Sequence, residues 1–140
     1  MGELLRFHYD VDGDSFTSAG AASVEIKKKL RQLGFPAEII RKVSIAMYEG
    51  EINMVVHARG GKADVIVDDD EITIILTDTG PGIPDIDLAM QEGYSTAPDN
   101  IRALGFGAGM GLPNMKRYTD KLHIESEVGK GTTVTMKVKI

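Results

Sequence analysis

The sequence predicts a two-layer α+β sandwich, with five strands largely in antiparallel hairpins and three or four helices. Three observations carry this. Residues 4–11 alternate between apolar and polar side chains. Two further alternating segments pair through short turn-rich breaks, over 63–78 and 121–140. Between the first strand and the first hairpin, the apolar spacing changes to the helical period.

In the opening segment Leu5, Phe7, Tyr9 and Val11 share one face, and Leu4, Arg6, His8 and Asp10 take the other. Thr17 or Ser18 can cap a first helix, which Gly34 stops. Phe35-Pro36 opens a second helix, with Pro36 near its first turn, and Arg59-Gly60-Gly61 ends it. Ala63 to Val67 read as a strand, Asp68-Asp69-Asp70 as a turn, and Glu71 to Asp78 as the returning strand. A short helix is expected over Ile86 to Glu92. From Gly93 to Gly109, Gly, Ser, Pro and Asn recur throughout. Loops of that length inside a domain are usually functional. Pro113 to Thr119 suit a helix. Lys121 to Glu127 and Thr132 to Ile140 suit strands, with Gly129-Lys130-Gly131 turning between them.

Residues 1–140 fit one domain, long enough to bury a core without covalent staples. An apolar fraction of 42% and a charged fraction of 26% place it among soluble globular proteins. The absence of cysteine excludes disulfides and thiolate metal sites and fits a reducing cytoplasm. The start, MGELLRFHYDVDG, has neither the basic region nor the apolar run of a signal peptide or membrane anchor. Arg6 stands where a myristoylation signal needs Ser or Thr. With a net charge of −5 and scattered Lys and Arg, neither nucleic acid nor membrane is an expected partner.

Glu49, Asn53 and His57 recur every fourth residue in the second helix, within about 80° of arc at 100° per residue. Such a stripe serves as a solvated strip. It serves equally as a carboxylate base beside an amide oxygen able to hold a hard cation such as Mg²⁺, which takes few protein oxygens plus phosphate and water. Downstream, Asp78-Thr79-Gly80-Pro81-Gly82-Ile83 ends a patterned strand. It is either a plain turn or a site where Asp78 accepts from a ligand's amino group and the glycines let the ligand approach. Gly105, Gly107, Gly109 and Gly111 alternate just before the helix starting at Leu112-Pro113. Backbone N–H groups there attract phosphate. A dinucleotide fingerprint would need a preceding strand and a βαβ unit, and a Walker loop would end in Gly-Lys-Ser/Thr. Neither is present.

Taken in order, Glu49-x3-Asn53-x3-His57, Asp78-x-Gly80-x-Gly82-Ile83, Gly107-x-Gly109-x-Gly111-Leu112 and Gly129-Lys130-Gly131-Thr132 resemble the four boxes of the GHKL superfamily. That group contains histidine-kinase catalytic domains, gyrase-type ATPases, Hsp90 chaperones and the bacterial anti-sigma-factor serine kinases. The resemblance spans roughly residues 36–140 and implies the Bergerat ATP-binding fold, with a mixed five-stranded sheet and helices on one face. It implies ATP and Mg²⁺ as ligands. Asn53 would hold the metal, with His57 completing the stripe. Asp78 would accept from the adenine amino group, and Gly80, Gly82 and Ile83 would wall the adenine pocket. Gly107, Ala108, Gly109, Met110, Gly111 and Leu112 would lie over the phosphates, and Thr132 would support the adenine end. Glu49 would be the base. Gly93 to Leu104 would form the lid, with Ser95 and Thr96 as its contacts. Ala97 stands where many relatives carry Lys, so Arg102, Lys116 or Arg117 would supply charge to the phosphates.

A domain of this size resembles the anti-sigma-factor kinases of bacterial partner-switching systems. These phosphorylate a Ser or Thr of a small STAS-type anti-anti-sigma protein. The implied partners are such a protein, a sigma factor, or both, and a homodimer stays open. Gly50 and Glu51 depart from the small and β-branched residues common in that branch. The alternative is an ATP-gated protein-binding module with little or no kinase activity.

Overall fold

The computed structural model describes residues 4–12, 20–58, 60–83, 86, 90 and 111–140. β1 (Leu5–Asp12), β2 (Gly60–Val67), β3 (Glu71–Asp78), β4 (Lys121–Glu127) and β5 (Gly131–Lys139) form one sheet in the order β1-β2-β3-β5-β4. Helices cover one face, as the α+β class requires. One detail is corrected: every strand pair is antiparallel, so the sheet is not mixed. β3 and β4 do run in the same direction. β5 returns from β4 through a tight hairpin and slots between them, so the two never bond to each other.

Side-chain alternation turns the register into rows across the buried face. Phe7, Val65, Ile74, Met136 and Leu122 form one row, and Tyr9, Ala63, Leu76, Val134 and Ile124 the next. Val65, Ile74 and Met136 have no exposed surface, and burial of a side chain of this size contributes about 1.5–3 kcal/mol. The other face carries Arg6, His8, Asp64, Thr135 and Lys137 to solvent, and His8 Nδ1 sits 2.8 Å from Asp64 Oδ1 across the β1–β2 pair.

α1 (Ala21–Gln32), α2 (Ala37–Ala58) and α3 (Gly111–Arg117) supply Ile26, Leu30, Val43, Met47, Leu112 and Met115 to the same core. α1 ends as expected at Gly34. Its φ of +83° lets Gly34 N–H donate to Arg31 at 3.1 Å and Phe35 N–H to Leu30 at 3.2 Å, closing the last turn. The start differs. Thr17 and Ser18 lie outside the described residues. The helix begins after Gly20, which makes no side-chain cap. Glu51 of α2 does that work from 28 to 31 residues away. It is 2% exposed, and its Oε2 accepts from Gly20 N at 3.1 Å and Ala22 N at 3.2 Å while Oε1 accepts from Ser23 N. Burial raises the Glu51 carboxyl above its ordinary pKa, and the N–H donors oppose that shift.

Beside Glu51, Gly50 lets α2 lie directly on β3 and α3. A methyl there would run into Leu76 Cδ1 and stand 3.5 Å from Met115 Sδ. Arg41 on α2 stacks over the Tyr118 ring just beyond α3, 5.7 Å from its centroid, which ties the same two helices together at the other end. Of the short helix expected over 86–92, Ile86 and Met90 are described. They are joined by the one-turn bond Met90 N–H to Ile86 O at 3.0 Å. β2 starts at Gly60, earlier than the expected Ala63, because both glycines continue the pairing with β1.

Candidate functional site

The apolar rows of the buried face end in a polar one. Beyond Ala63, Leu76, Val134 and Ile124 come Gly61, Asp78, Thr132 and Ser126. α2 runs over this end of the sheet, with Ala58 packed on the Asp78–Gly82 loop and the half-buried Glu49, Asn53 and His57 along one edge. α3 flanks the Glu49 end, where Asn114 Nδ2 donates to Glu49 Oε1 at 3.3 Å.

Asp78 is held at the mouth of β3 by its own loop. Its Oδ1 accepts from Gly80 N at 2.9 Å and from Thr132 N at 3.2 Å, which leaves Oδ2 able to accept from a ligand amine. The loop is in turn pinned to the β4–β5 hairpin. Ile83 N donates to Ser126 Oγ at 2.7 Å, Ser126 Oγ lies 2.8 Å from Thr132 Oγ1 and 3.2 Å from Gly131 O, and Gly129 N donates to Pro81 O at 2.9 Å. Ser126 carried no signal in the sequence. It is one polar residue in an alternating strand, and its partners come from two other segments.

Gly80 and Gly82 are glycines for the sake of the chain itself. A Cβ at Gly80 would lie 2.5 Å from Ala58 Cβ. At Gly82, where φ is +81°, it would lie 2.5 Å from the Glu127 carbonyl oxygen. The loop therefore fits under the end of α2 and against the hairpin only without side chains.

Burial pushes the His57 imidazole below its ordinary pKa, and the negative Asp78 partly opposes the shift. The ring is thus neutral near pH 7. Asn53 stands one turn from each neighbour on the arc. Among the described residues no group of three or more His, Asp or Glu could hold a metal alone. A single amide oxygen fits a cation held mostly by phosphate and water, which is the habit of Mg²⁺.

Thr132 is 8% exposed and faces the same end as Asp78. Ile83 is partly buried against the core. Gly111 is the first residue of α3, and Leu112 is 5% exposed within the core, so what it can present to a ligand is its backbone. Ser95, Thr96, Gly107, Ala108, Gly109 and Met110 lie outside the described residues, as does Arg102. Lys116 lines a groove with Thr119, Leu122 and Ile124, on the β4 side of α3. No described helix is long and apolar enough to cross a membrane.

Residues 39–140 match the family model described as histidine kinase-, DNA gyrase B- and HSP90-like ATPase. The chain is 33% identical to an anti-sigma F factor of Clostridium acetobutylicum, over 96% of this chain and 91% of that one. It is 36% identical to one of Clostridium botulinum, over 84% and 83%. It is also 30% identical to one of Geobacillus stearothermophilus, over 95% and 88%. Among solved structures, the RsbU and RsbW domains of a Mycobacterium tuberculosis protein share the fold, with a TM-score of 0.65 at 16% identity, over 96% of this chain and 32% of that one.

Proposed function

The chain belongs to the family of histidine kinase-, DNA gyrase B- and HSP90-like ATPases, and on that premise we propose that it is an anti-sigma-factor-type serine/threonine protein kinase using ATP. Its phosphoacceptor is a Ser or Thr of a STAS-type anti-anti-sigma protein. The observation that carries this reading is the edge of α2. Glu49, a carboxylate with one oxygen already bonded to Asn114, stands one turn from the Asn53 amide and on the same side of the helix as His57 above Asp78. Similarity to anti-sigma F factors over most of both chains supports the choice of branch.

In this reading Asp78 Oδ2 accepts from the adenine amine while Gly80 and Thr132 N–H groups hold Oδ1. Asn53 would hold Mg²⁺, which would supply neutralising charge to the phosphates. The partner's hydroxyl oxygen attacks the terminal phosphorus, the bond to the β,γ-bridging oxygen breaks, and ADP leaves. Glu49 orients the hydroxyl and takes its proton. Phosphoryl transfer depends mostly on such positioning and electrostatics. The neutral His57 adds no positive charge that would pair with Glu49 or Asp78.

Two measurements test this. Incubation with ATP, Mg²⁺ and candidate STAS proteins, read by phosphosite mass spectrometry, should give a single phosphorylated Ser or Thr. Tight ATP-dependent binding of a partner without phosphate transfer would instead favour the nucleotide-gated binding module. In calorimetry, Asn53→Ala should weaken ATP far more than adenosine. Equal losses would reject the metal role.

A further inference from the structure

We propose that Asn114 is the positioning residue for Glu49. Its amide fixes one carboxylate oxygen and leaves the other aimed at the incoming hydroxyl. This rests on the reading of Glu49 as the base. An ionised carboxylate can only accept, so the group that Asn114 turns to Oε1 is its NH₂, at 3.3 Å. Without that bond a Glu side chain on a helix edge samples several rotamers, and a base that wanders loses rate because reactive geometry is narrow.

The contact is built rather than incidental. Asn114 lies in the first turns of α3, which starts at Gly111 directly after the glycine-rich segment. Gly50, the next residue of α2, keeps the seat of α2 on β3 open, since a Cβ there would run into Leu76 Cδ1, and Met115 of α3 packs beside it. The Arg41–Tyr118 stack and the Thr119 hydroxyl, which donates to Met115 O at 2.7 Å, fix the far end of α3. The helix that follows the glycine-rich segment in the sequence thus carries the group that meets Glu49.

The test is a cycle on the full chain with Asn114→Leu, Glu49→Gln and the double variant. It is read by phosphate transfer to a partner serine, by ATP turnover with water as acceptor, and by ATP affinity. Leu has the same branched outline, favours the helix at least as well as Asn and removes the donor. Asn114→Leu should slow both reactions about tenfold, with ATP affinity within twofold. In the Glu49→Gln background it should change neither rate. Asn114→Gln, which can still donate, should recover part of the loss. An equal slowing in both backgrounds, or a loss of ATP affinity that matches the loss of rate, would show a role in packing only and overturn the proposal. If Glu49→Gln leaves both rates intact, or the parent shows neither reaction, the base reading itself fails and the role of Asn114 fails with it.

Discussion

Two carboxylates two residues apart on α2 face opposite worlds. Glu51 is turned to α1, 2% exposed, with three backbone N–H groups on its oxygens. Glu49 is turned to the site edge, half-buried, and held among the described residues by one amide. At 100° per residue, two steps along a helix rotate the side chain by about 200°, so the pair straddles the helix. Burying a charge is tolerable only where its oxygens are satisfied. Glu51 meets that condition through the open end of α1, and its job is to hold two helices together. Glu49 has, among the described residues, a hydrogen bond on one oxygen alone, and the proposed function gives it the chemistry. The same residue type on the same helix does either, according to what it meets.

The sharpest way to break this contrast is to remove the charge at each position while keeping the shape. Glu49→Gln should lower phosphate transfer by about 10²–10⁴-fold, the usual contribution of a general base. Glu51→Gln should cost on the order of 3 kcal/mol of unfolding free energy. Its amide NH₂ must confront either Ser23 N–H or the Gly20 and Ala22 pair, which leaves buried donors unpaired. Urea titration measures this, and a midpoint equal to that of the parent would mean that α1 does not depend on the cap.

Asp78→Asn probes the other end of the site. The Asn oxygen can still serve Gly80 and Thr132, but its NH₂ then replaces Oδ2 and faces the adenine amine donor to donor. A charge-assisted bond lost there is worth on the order of 1.5–3 kcal/mol, about ten- to a hundredfold in ATP affinity. GTP bound as tightly as ATP by the parent would contradict the assignment. Gly50→Ala should destabilise by about 1–3 kcal/mol, because the new methyl runs into Leu76 in a closed core.

The smallest effect is in pH. His57 has a folded value below its ordinary one, so the unfolded chain takes up the proton first as pH falls. Its contribution is intact above about pH 6.5 and is lost as pH drops through the lowered folded value. Glu51, with a raised value, acts with the opposite sign at lower pH. Comparing His57→Gln with the parent isolates the imidazole. The variant should lose less stability between neutral pH and pH 5, and identical slopes would show that His57 does not titrate differently on folding.

Much of this molecule could be read from the chain. The strands showed themselves by alternation, since Val134, Met136 and Val138 of β5 do face the core and Thr133, Thr135 and Lys137 do not. The edge of α2 followed from spacing, and the turn at Asp78–Gly82 from the glycines after β3, while residues 105–110 lie outside the described residues. What could not be read depends on contacts between distant segments. Glu51 caps a helix whose N-cap lies 31 residues earlier, Ser126 joins the loop after β3 to β5, and Asn114 meets a residue 65 positions away. None of these leaves a local period. Gly50 and Glu51 stood out as departures from a family pattern. The physical reason for both is the close seat of α2 among α1, α3 and β3.

The most direct test takes the parent, Glu49→Gln and Glu51→Gln through one pair of measurements: the rate of phosphate transfer from ATP to a partner serine at saturating nucleotide, and the free energy of unfolding. The expected result is a crossed one. Glu49→Gln loses about 10²–10⁴ in rate with stability within about 0.5 kcal/mol of the parent. Glu51→Gln loses on the order of 3 kcal/mol in stability, with the folded fraction transferring phosphate at close to the parent rate. A Glu49→Gln variant that transfers phosphate as fast as the parent would contradict the assignment of Glu49 as the base, however the stabilities fall.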